Sequence, residues 1–322
     1  MPRLKNVRNL AEFHACGARV GRRRLAQPEG RRRTWSTHMV RLGFLLLLVH
    51  ITASAGCNRA TTPAASPSPV PAAASWADEF DGPSNSPPDR FKWTPDLGGG
   101  GWGNQELQTY TDQTDNVHLD GQGHLIIRAV STSTGFTSAR LKTQGLFAAQ
   151  YGRIETSVKL PIGRGIWPAF WMMGTSFNKS NWPDCGEIDI VEYIGSEPSV
   201  NRGTLHGPGY SGAGGISSIY TLPNGQKFSD AFHTFAIQWA PQVMTFSVDN
   251  VAYRTVTPAS LPAGAKWVFD APFFLLINVS VGGTLPGSPD ASTAFPQEMV
   301  VDYVRYISLS ASAGQAIPAP PD

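Results

Sequence analysis

Short runs of β-forming residues dominate the chain, and this feature constrains the fold more than any other. Between residues 76 and 309, runs rich in Val, Ile, Thr and aromatic residues are separated by Gly, Pro, Asn and Asp. In one run, Ile154, Thr156 and Val158 alternate with polar residues, as in a strand that is buried on one face. We find no amphipathic helical stretch of ten or more residues and no internal repeat. The pattern predicts one all-β domain over residues 76–309, a two-sheet β-sandwich of jelly-roll type.

The composition agrees with this fold class. The chain of 322 residues contains 33 Gly, 26 Pro and 10% aromatic residues, which suits a turn-rich β protein. No run of 18 apolar residues occurs, so no helix of membrane-spanning length is encoded. The cysteines are Cys16, Cys57 and Cys185, and only the last lies in the predicted domain. An extensive core, and not a set of disulfides, must therefore stabilise the domain.

The first 56 residues are predicted to be a leader and export signal. Arg41 precedes an apolar run at residues 42–49, and small residues follow directly before Cys57. Residues 54–57 resemble a bacterial lipobox, in which the cysteine is cleaved and acylated. We therefore expect an exported protein that is lipid-anchored at the bacterial cell envelope through Cys57, with simple secretion as the alternative.

Residues 1–38 do not fit the export signal. They are explained if translation starts at Met39. The alternative is a twin-arginine signal, although the arginine clusters at residues 22–24 and 31–33 lie far from the apolar run.

Two further segments do not have the composition of a packed domain. Residues 57–75 hold four Pro among Ala, Ser and Thr, and this composition predicts a semi-extended linker after the anchor cysteine. Residues 310–322 are predicted to be a flexible tail.

The net charge of +2 hides an uneven distribution. Residues 1–56 contain 11 Lys and Arg against 2 Asp and Glu, which leaves 15 basic and 22 acidic residues downstream. This acidic excess argues against a nucleic-acid partner and fits a neutral or weakly polar substrate. We expect the domain to be a monomer.

The segment at residues 182–193, Trp-Pro-Asp-Cys-Gly-Glu-Ile-Asp-Ile-Val-Glu-Tyr, is the most informative. In a strand, Glu187 and Asp189 point to one face while Ile188 and Ile190 point to the other. Strict alternation would turn Glu192 into the core, where an unpaired carboxylate is costly. A β-bulge at residues 190–191 would return Glu192 to the acidic face, and we predict one there.

Three acids on one short strand suit glycoside hydrolysis. Like charges so close together raise at least one pKa, and a general acid that works at neutral pH needs a raised pKa. Hydrolysis of a glycosidic bond uses one ionised and one protonated carboxyl group on either side of the bond. Two other interpretations remain open on the pattern alone, namely a solvated strand face and a site for a hard cation.

The motif Glu-Ile-Asp-Ile-Val-Glu at residues 187–192 resembles the active-site signature of glycoside hydrolase family sixteen. It is similar to the bulged form, with two residues between the Asp and the second Glu, that is found in the laminarinase branch of endo-β-1,3-glucanases. The resemblance extends over most of the predicted domain and implies a concanavalin-like jelly roll. The other matching segments are residues 76–80, 101–108, 136–140, 166–172, 204–207, 273–278 and 301–305.

The resemblance assigns roles to the three acids. Glu187 would be the nucleophile, Glu192 the acid/base and Asp189 the residue that tunes the nucleophile. The implied reaction is a retaining double displacement that needs no catalytic cofactor.

Aromatic, amide and imidazole side chains near these segments are suited to binding sugars, because flat apolar rings stack on pyranose faces and polar groups bind hydroxyls. The predicted substrate-binding residues are Trp182, Trp171, Trp167, Trp102, Asn104, His206, Arg140 and Asn278. Trp residues can equally fill the core, and we prefer that interpretation for Trp76, Trp93 and Trp267.

The chain departs from the family at one loop. Residues 284–287 read Thr-Leu-Pro-Gly where the family commonly has Asn-Trp-Pro-Gly, so one sugar subsite is expected to be weaker. The resemblance also implies a structural calcium ion held by Glu79, the carbonyl of Gly123 and Asp302. In the alternative, Asp302 forms an ion pair with a nearby Arg.

The sequence is compatible with three functions. The first is an endo-β-1,3-glucanase that acts on laminarin-like β-glucan, and the second is the same fold acting on mixed β-1,3-1,4-glucan or a galactan. The third is a glucan-binding module without hydrolysis. A non-catalytic relative is expected to lack one of the acids, whereas this chain has all three.

Overall fold

The computed structural model describes residues 75–308. The first nine strands are β1 (Trp76–Asp78), β2 (Thr94–Asp96), β3 (Gln108–Tyr110), β4 (Val117–Leu119), β5 (Leu125–Thr132), β6 (Gly135–Ser138), β7 (Arg140–Lys142), β8 (Gly152–Lys159) and β9 (Ile166–Gly174). The others are β10 (Glu187–Tyr193), β11 (Val200–His206), β12 (Ile216–Thr221), β13 (His233–Ala240), β14 (Val243–Val248), β15 (Val251–Val256), β16 (Phe273–Val281) and β17 (Gln297–Ile307).

These strands form two sheets, as predicted. The seven-stranded sheet has the order β12-β11-β10-β9-β16-β7-β2. The ten-stranded sheet has the order β15-β14-β13-β8-β17-β5-β6-β3, with β1 paired to β17 and β4 paired to β5. All of the pairings are antiparallel except that of β3 with β6.

Helices are short within residues 75–308. The one α-helix, α1 (Phe177–Ser180), has four residues, and three single-turn 3₁₀ helices accompany it. No helix in this range is long and apolar enough to cross a membrane. The predicted leader, the anchor residue Cys57 and the tail lie outside the described residues, and so does the linker up to residue 74.

The core lies between the two sheets. Ile154 and Val158 of β8 on the ten-stranded sheet pack into one cluster with Ile188 and Leu205 of the seven-stranded sheet. Trp93 also belongs to this cluster, whereas Trp76 and Trp267 are partly buried against it, so the predicted packing role is confirmed for these residues. Because large aromatic side chains bury much apolar area, they contribute strongly to a core without disulfides.

The opposite face of the seven-stranded sheet, which we call the outer face, carries the candidate site. Cα pairing places Glu187 of β10 beside Met173 of β9 and His206 of β11. It places Asp189 beside Trp171. Paired residues of antiparallel strands point to the same side of a sheet, so these side chains lie together.

Candidate active site

The acids lie on β10, and the predicted bulge is present. Pairing with β9 shifts register between Asp189 and Val191, and pairing with β11 shifts between Asp189 and Glu192. Ile190 and Val191 both pack into the core, at 1% and 0% exposure. The extra buried residue returns Glu192 to the outer face beside Asp189 and Glu187, as the sequence predicts.

Each acid has a different polar neighbour. The indole Nε1 of Trp182 donates a hydrogen bond of 2.5 Å to Glu187 Oε2. His206 Nε2 lies 3.3 Å from Asp189 Oδ2.

The neighbour of the third acid was missed in the sequence. Thr204 Oγ1 donates a hydrogen bond of 3.1 Å to Glu192 Oε2. Thr204 pairs with Asp189 across β10 and β11, and this register is invisible in the sequence of either strand.

Burial governs the electrostatics of this strand. It raises the pKa of Glu187 well above its usual value, and the neighbouring Asp189 charge raises it further, whereas His206 and the Trp182 hydrogen bond act in the opposite direction. Burial and the Glu192 charge likewise raise the pKa of Asp189. Burial raises the pKa of Glu192, against a lowering effect of Thr204. These shifts favour the protonated forms of the three carboxyl groups, which is the direction that a general acid requires.

The site could also hold a metal ion in purely geometric terms. One ligand atom from each of Glu187, Asp189 and His206 lies within 4.8 Å of the others. An imidazole nitrogen with two carboxylates suits a transition metal better than calcium.

Arg140 links two of the predicted tryptophans. Its guanidinium carbon lies 4.9 Å from the ring centre of Trp102 and 4.8 Å from that of Trp171. Arg140 Nε also lies 3.1 Å from a carboxylate oxygen of Asp96. This stack of Trp102, Arg140 and Trp171 is fixed on the outer face, with Trp171 next to Asp189.

Trp182 is the most open of the predicted platforms. Its side chain is 41% exposed, and its ring centre lies 6.0 Å from that of His206. Trp171, by contrast, is only 9% exposed. An exposed ring that is hydrogen-bonded to Glu187 can present a face to a sugar bound at the acids.

Asn104 and Trp167 lie together at a loop of the outer face. A Cβ added to Gly283 would lie 3.1 Å from the Trp167 ring and 3.3 Å from the Asn104 carbonyl oxygen, so this glycine allows a close approach. The Asn104 carbonyl also accepts a hydrogen bond from the backbone of Thr284. The loop at residues 284–287, where the sequence differs from the family, therefore lies against two predicted substrate-binding residues, Trp167 and Asn104.

The polar atoms of Asn278 form hydrogen bonds within the protein. Its side chain is 5% exposed, and its Oδ1 accepts a hydrogen bond of 2.8 Å from Trp171 Nε1. Its Nδ2 donates to Tyr110 Oη and Ser280 Oγ. Because these polar atoms are already bonded, Asn278 is suited to holding Trp171 in place.

An apolar cluster on the outer face was also not predicted. Met173, Cys185, Phe274 and Leu276 pack with Trp171, and Met173 and Trp171 lie beside Glu187 and Asp189. Burial raises the pKa of the Cys185 thiol to about 11. The sequence shows apolar residues at the outward positions of β9 and β16. Which of these side chains pack together is known only from the register of the strands.

The residues implied to hold calcium are only partly free to do so. Both carboxylate oxygens of Glu79 are bonded to Arg305, at 2.8 and 2.7 Å. Glu79 would therefore offer its main-chain carbonyl, which lies 3.9 Å from a Cβ added to Gly123. Asp302 forms no ion pair with the described Arg and Lys residues, so the predicted alternative of an Asp302–Arg pair is wrong there. Carbonyl and carboxylate oxygens of this kind fit a hard cation.

Comparison with known proteins agrees with this geometry. Residues 102–305 match the family model described as Glycosyl hydrolases family 16. A β-glucanase of Rhodothermus marinus is 41% identical over 243 residues, which cover 71% of this chain and 83% of that protein.

Two solved structures are also similar. The laminarinase catalytic domain of Thermotoga maritima has a TM-score of 0.70 at 42% identity and covers 74% of this chain and 98% of its own. An endo-β-1,3-glucanase of Pyrococcus furiosus has a TM-score of 0.69 at 44% identity and covers 74% and 95%. These likenesses confirm the predicted jelly roll. With three acids on a bulged strand of that fold, the chain belongs to family 16 of the glycosyl hydrolases.

Proposed function

We propose that this glycoside hydrolase cleaves internal β-1,3 bonds of a laminarin-like β-glucan with retention of anomeric configuration. The observation that carries the proposal is the set of Glu187, Asp189 and Glu192 on one face, with Asp189 buried, the two glutamates half-buried and a separate polar partner for each acid. The 41%-identical relative is a β-glucanase, and the two similar structures are a laminarinase and an endo-β-1,3-glucanase. Their substrates support the choice of a β-1,3-glucan.

In the first step, the Glu187 carboxylate attacks the anomeric carbon as the bond to the leaving oxygen breaks. Glu192 donates its proton to that oxygen, and a glycosyl–Glu187 ester forms. Burial favours the protonated form of Glu192 that this step needs.

In the second step, Glu192 takes a proton from water, and the resulting attack on the anomeric carbon releases Glu187. The hydrogen bond from Trp182 favours the ionised form of Glu187. Asp189 lies within hydrogen-bonding reach of Glu187, so it can hold a proton that would otherwise neutralise the nucleophile.

The test is to incubate the full chain with laminarin, barley mixed-linkage glucan, carboxymethyl cellulose and agarose, and to follow reducing ends. Laminarin should be cleaved into mixed oligosaccharides, and proton NMR of the first product should show the β-anomer. An α-anomer first would contradict retention, and early release of glucose alone would contradict internal cleavage. Absence of all cleavage, with laminarin still retarding the protein in an affinity gel, would favour a binding module.

Barley glucan and agarose distinguish the substrates within this reaction class. Preferred cleavage of barley glucan would shift the assignment to mixed-linkage glucan, and cleavage of agarose would shift it to a galactan. The neutral rings and arginine of the outer face, rather than a basic patch, suit an uncharged polysaccharide in each case.

A structural calcium ion and export are further parts of the proposal. Calcium at Glu79, Gly123 and Asp302 would join three distant segments, and adding it should raise the melting temperature without changing kcat. The Asp302→Ala variant should lose that increase.

Export and acylation at Cys57 are supported by the sequence of the export signal alone. They predict that palmitate labelling and membrane recovery disappear in Cys57→Ala. Recovery of unlabelled wild-type protein in the medium would favour simple secretion.

A further inference from the structure

Glu106 is a buried carboxylate without a cationic partner. It is 8% exposed, and none of the ion pairs found within residues 75–308 includes it. Burying such a group is costly unless hydrogen bonds replace its water. Three side chains donate to it: Gln108 at 2.6 Å, Tyr110 at 3.2 Å and Asn104 at 3.3 Å.

The hydrogen bonds that reach Glu106 form a chain with one direction. Trp171 Nε1 donates to Asn278 Oδ1 at 2.8 Å, and Asn278 Nδ2 donates to Tyr110 Oη at 3.2 Å. Tyr110 Oη in turn donates to Glu106 Oε2. Burial raises the pKa of Tyr110, so this hydroxyl keeps the proton that it donates. The chain of donors therefore ends on the acceptor oxygens of the Glu106 carboxyl group, and each bond is polarised in the same sense.

Both ends of this network lie at the site. Asn104 is a predicted sugar ligand, and its amide is held directly by Glu106. Trp171 pairs with Asp189 on the acid strand and stacks on Arg140. A shift of either end would move a group that borders the substrate.

Because of these contacts, we propose that Glu106 is a positioning residue that holds Asn104 and Trp171 in register with the acid strand through one directed hydrogen-bond network. It acts through those side chains and does not touch the reacting atoms. This inference rests on the proposed function for its kinetic consequences, but its structural consequence can be measured without substrate.

The substitution Glu106→Gln tests the direction of the network. The new amide places N–H donors where Gln108, Tyr110 and Asn104 also donate, so at least one bond must break. Hydrogen bonds to a charged group are the stronger ones, so kcat/KM on laminarihexaose should fall about 10- to 100-fold. KM should rise as part of this loss, because Asn104 is released.

A matched control is Glu155→Gln. Glu155 is also 8% exposed, but it lies on β8 of the ten-stranded sheet and pairs with Arg153 at 2.6 Å. This variant should be less stable, with kcat/KM within about twofold of the wild type. Partial unfolding alone lowers kcat and leaves KM unchanged, so a rise in KM separates positioning from a loss of folded protein.

A second measurement needs no activity. Glu106→Gln should change the near-ultraviolet circular dichroism of the tryptophans, and this change should be lost in the Trp171→Phe background. In kinetics, the two substitutions should be non-additive in kcat/KM by about fivefold or more. Additive losses, or a spectral change that persists without Trp171, would overturn the network.

If the wild-type enzyme failed to cleave laminarin, the proposed function would fail, but the spectral test would still decide the positioning role.

Discussion

The two sheets place similar acids in opposite surroundings. On the ten-stranded sheet and its neighbouring segment, Glu155 pairs with Arg153 and Glu79 pairs with Arg305. On β10 of the seven-stranded sheet, none of the Lys and Arg ion pairs found within residues 75–308 includes any of the three acids, and the His206 imidazole lies beside Asp189. A paired carboxylate supports structure, whereas neighbouring carboxyl groups that are partly withdrawn from water acquire raised pKa values and can exchange protons. The presence of an acid in a strand therefore does not show whether its role is structural or catalytic until its bonded partner is known.

The difference between the two sheets is tested most directly by replacing single acids in each of them. Glu187→Gln and Glu192→Gln should each lower kcat on laminarin by about a thousandfold or more, because each removes a carboxyl group that the proposed mechanism uses as nucleophile or general acid. Glu155→Gln should leave kcat within about twofold. Reducing-end assays at equal concentrations of folded protein measure both effects.

Added azide should restore turnover in small-side-chain variants at these two positions, and the products separate the two roles. Glu187→Gly should yield the α-glycosyl azide and Glu192→Gly the β-azide. The reverse pattern would exchange the assigned roles of Glu187 and Glu192.

The next largest effect concerns the hydrogen bond between Trp182 and Glu187. Trp182→Phe keeps an aromatic face but removes the indole donor that lowers the pKa of Glu187. The pKa of Glu187 should rise, so the acidic limb of the kcat/KM profile should move to higher pH. At neutral pH, kcat/KM should fall by about 10-fold or more.

Trp267→Phe is the control for this substitution, since Trp267 is partly buried against the core and its indole Nε1 donates no hydrogen bond to the acids. Its pH profile should keep the position of the wild-type limb. An unshifted limb in Trp182→Phe would mean that this indole serves substrate stacking alone.

The third test compares stability instead of rate. Burial raises the pKa of Asp189 in the folded protein, so below its ordinary pKa the group is protonated in both states and costs nothing. As pH rises, the unfolded chain ionises first, and the folded state loses relative stability up to the raised pKa. Asp189→Asn should therefore stabilise the protein by about 1–3 kcal/mol at pH 8, with little gain at pH 4 and a large loss of activity.

Glu155→Gln should have the opposite sign in the same melting experiment, because it leaves Arg153 without its partner. Thermal denaturation at several pH values measures both variants. Equal destabilisation by the two substitutions would mean that the acids of the two sheets do not differ in the way described.

The sequence predicts the faces of single strands well. The bulge at residues 190–191 follows from β10 alone, because otherwise Glu192 would enter the core. The two-sheet fold likewise follows from the spacing of β-type runs. These are local properties, with a period of two residues, that any strand must satisfy.

Pairing between distant strands could not be predicted in this way. Thr204 bonds Glu192 only because of the register between their strands. Asn278 likewise bonds Trp171 and Tyr110 only because of the register between strands far apart in the chain. A residue type also does not reveal whether its polar atoms are already bonded. For that reason, Asn278 was predicted as a sugar ligand and Glu106 was not singled out.

The smallest expected effect concerns exposed apolar residues at the two sheets. Leu285 is 41% exposed in the loop that bonds Asn104, where the family commonly has Trp. A Trp at this position could stack on a sugar ring, and one such contact contributes about 0.5–1.5 kcal/mol. Leu285→Trp should therefore lower KM for laminarihexaose about two- to tenfold and leave KM for laminaritriose unchanged.

Val251→Trp is the matched control, since Val251 is 53% exposed on β15 of the ten-stranded sheet. It adds the same apolar surface on an edge strand of the sheet that does not carry the acids, so both KM values should stay at the wild-type level. Non-specific adsorption of glucan to tryptophan would lower KM in both variants. A decrease confined to Leu285→Trp and to the longer substrate would place a weakened sugar subsite at this loop, and an unchanged KM would show that the departure from the family costs no binding.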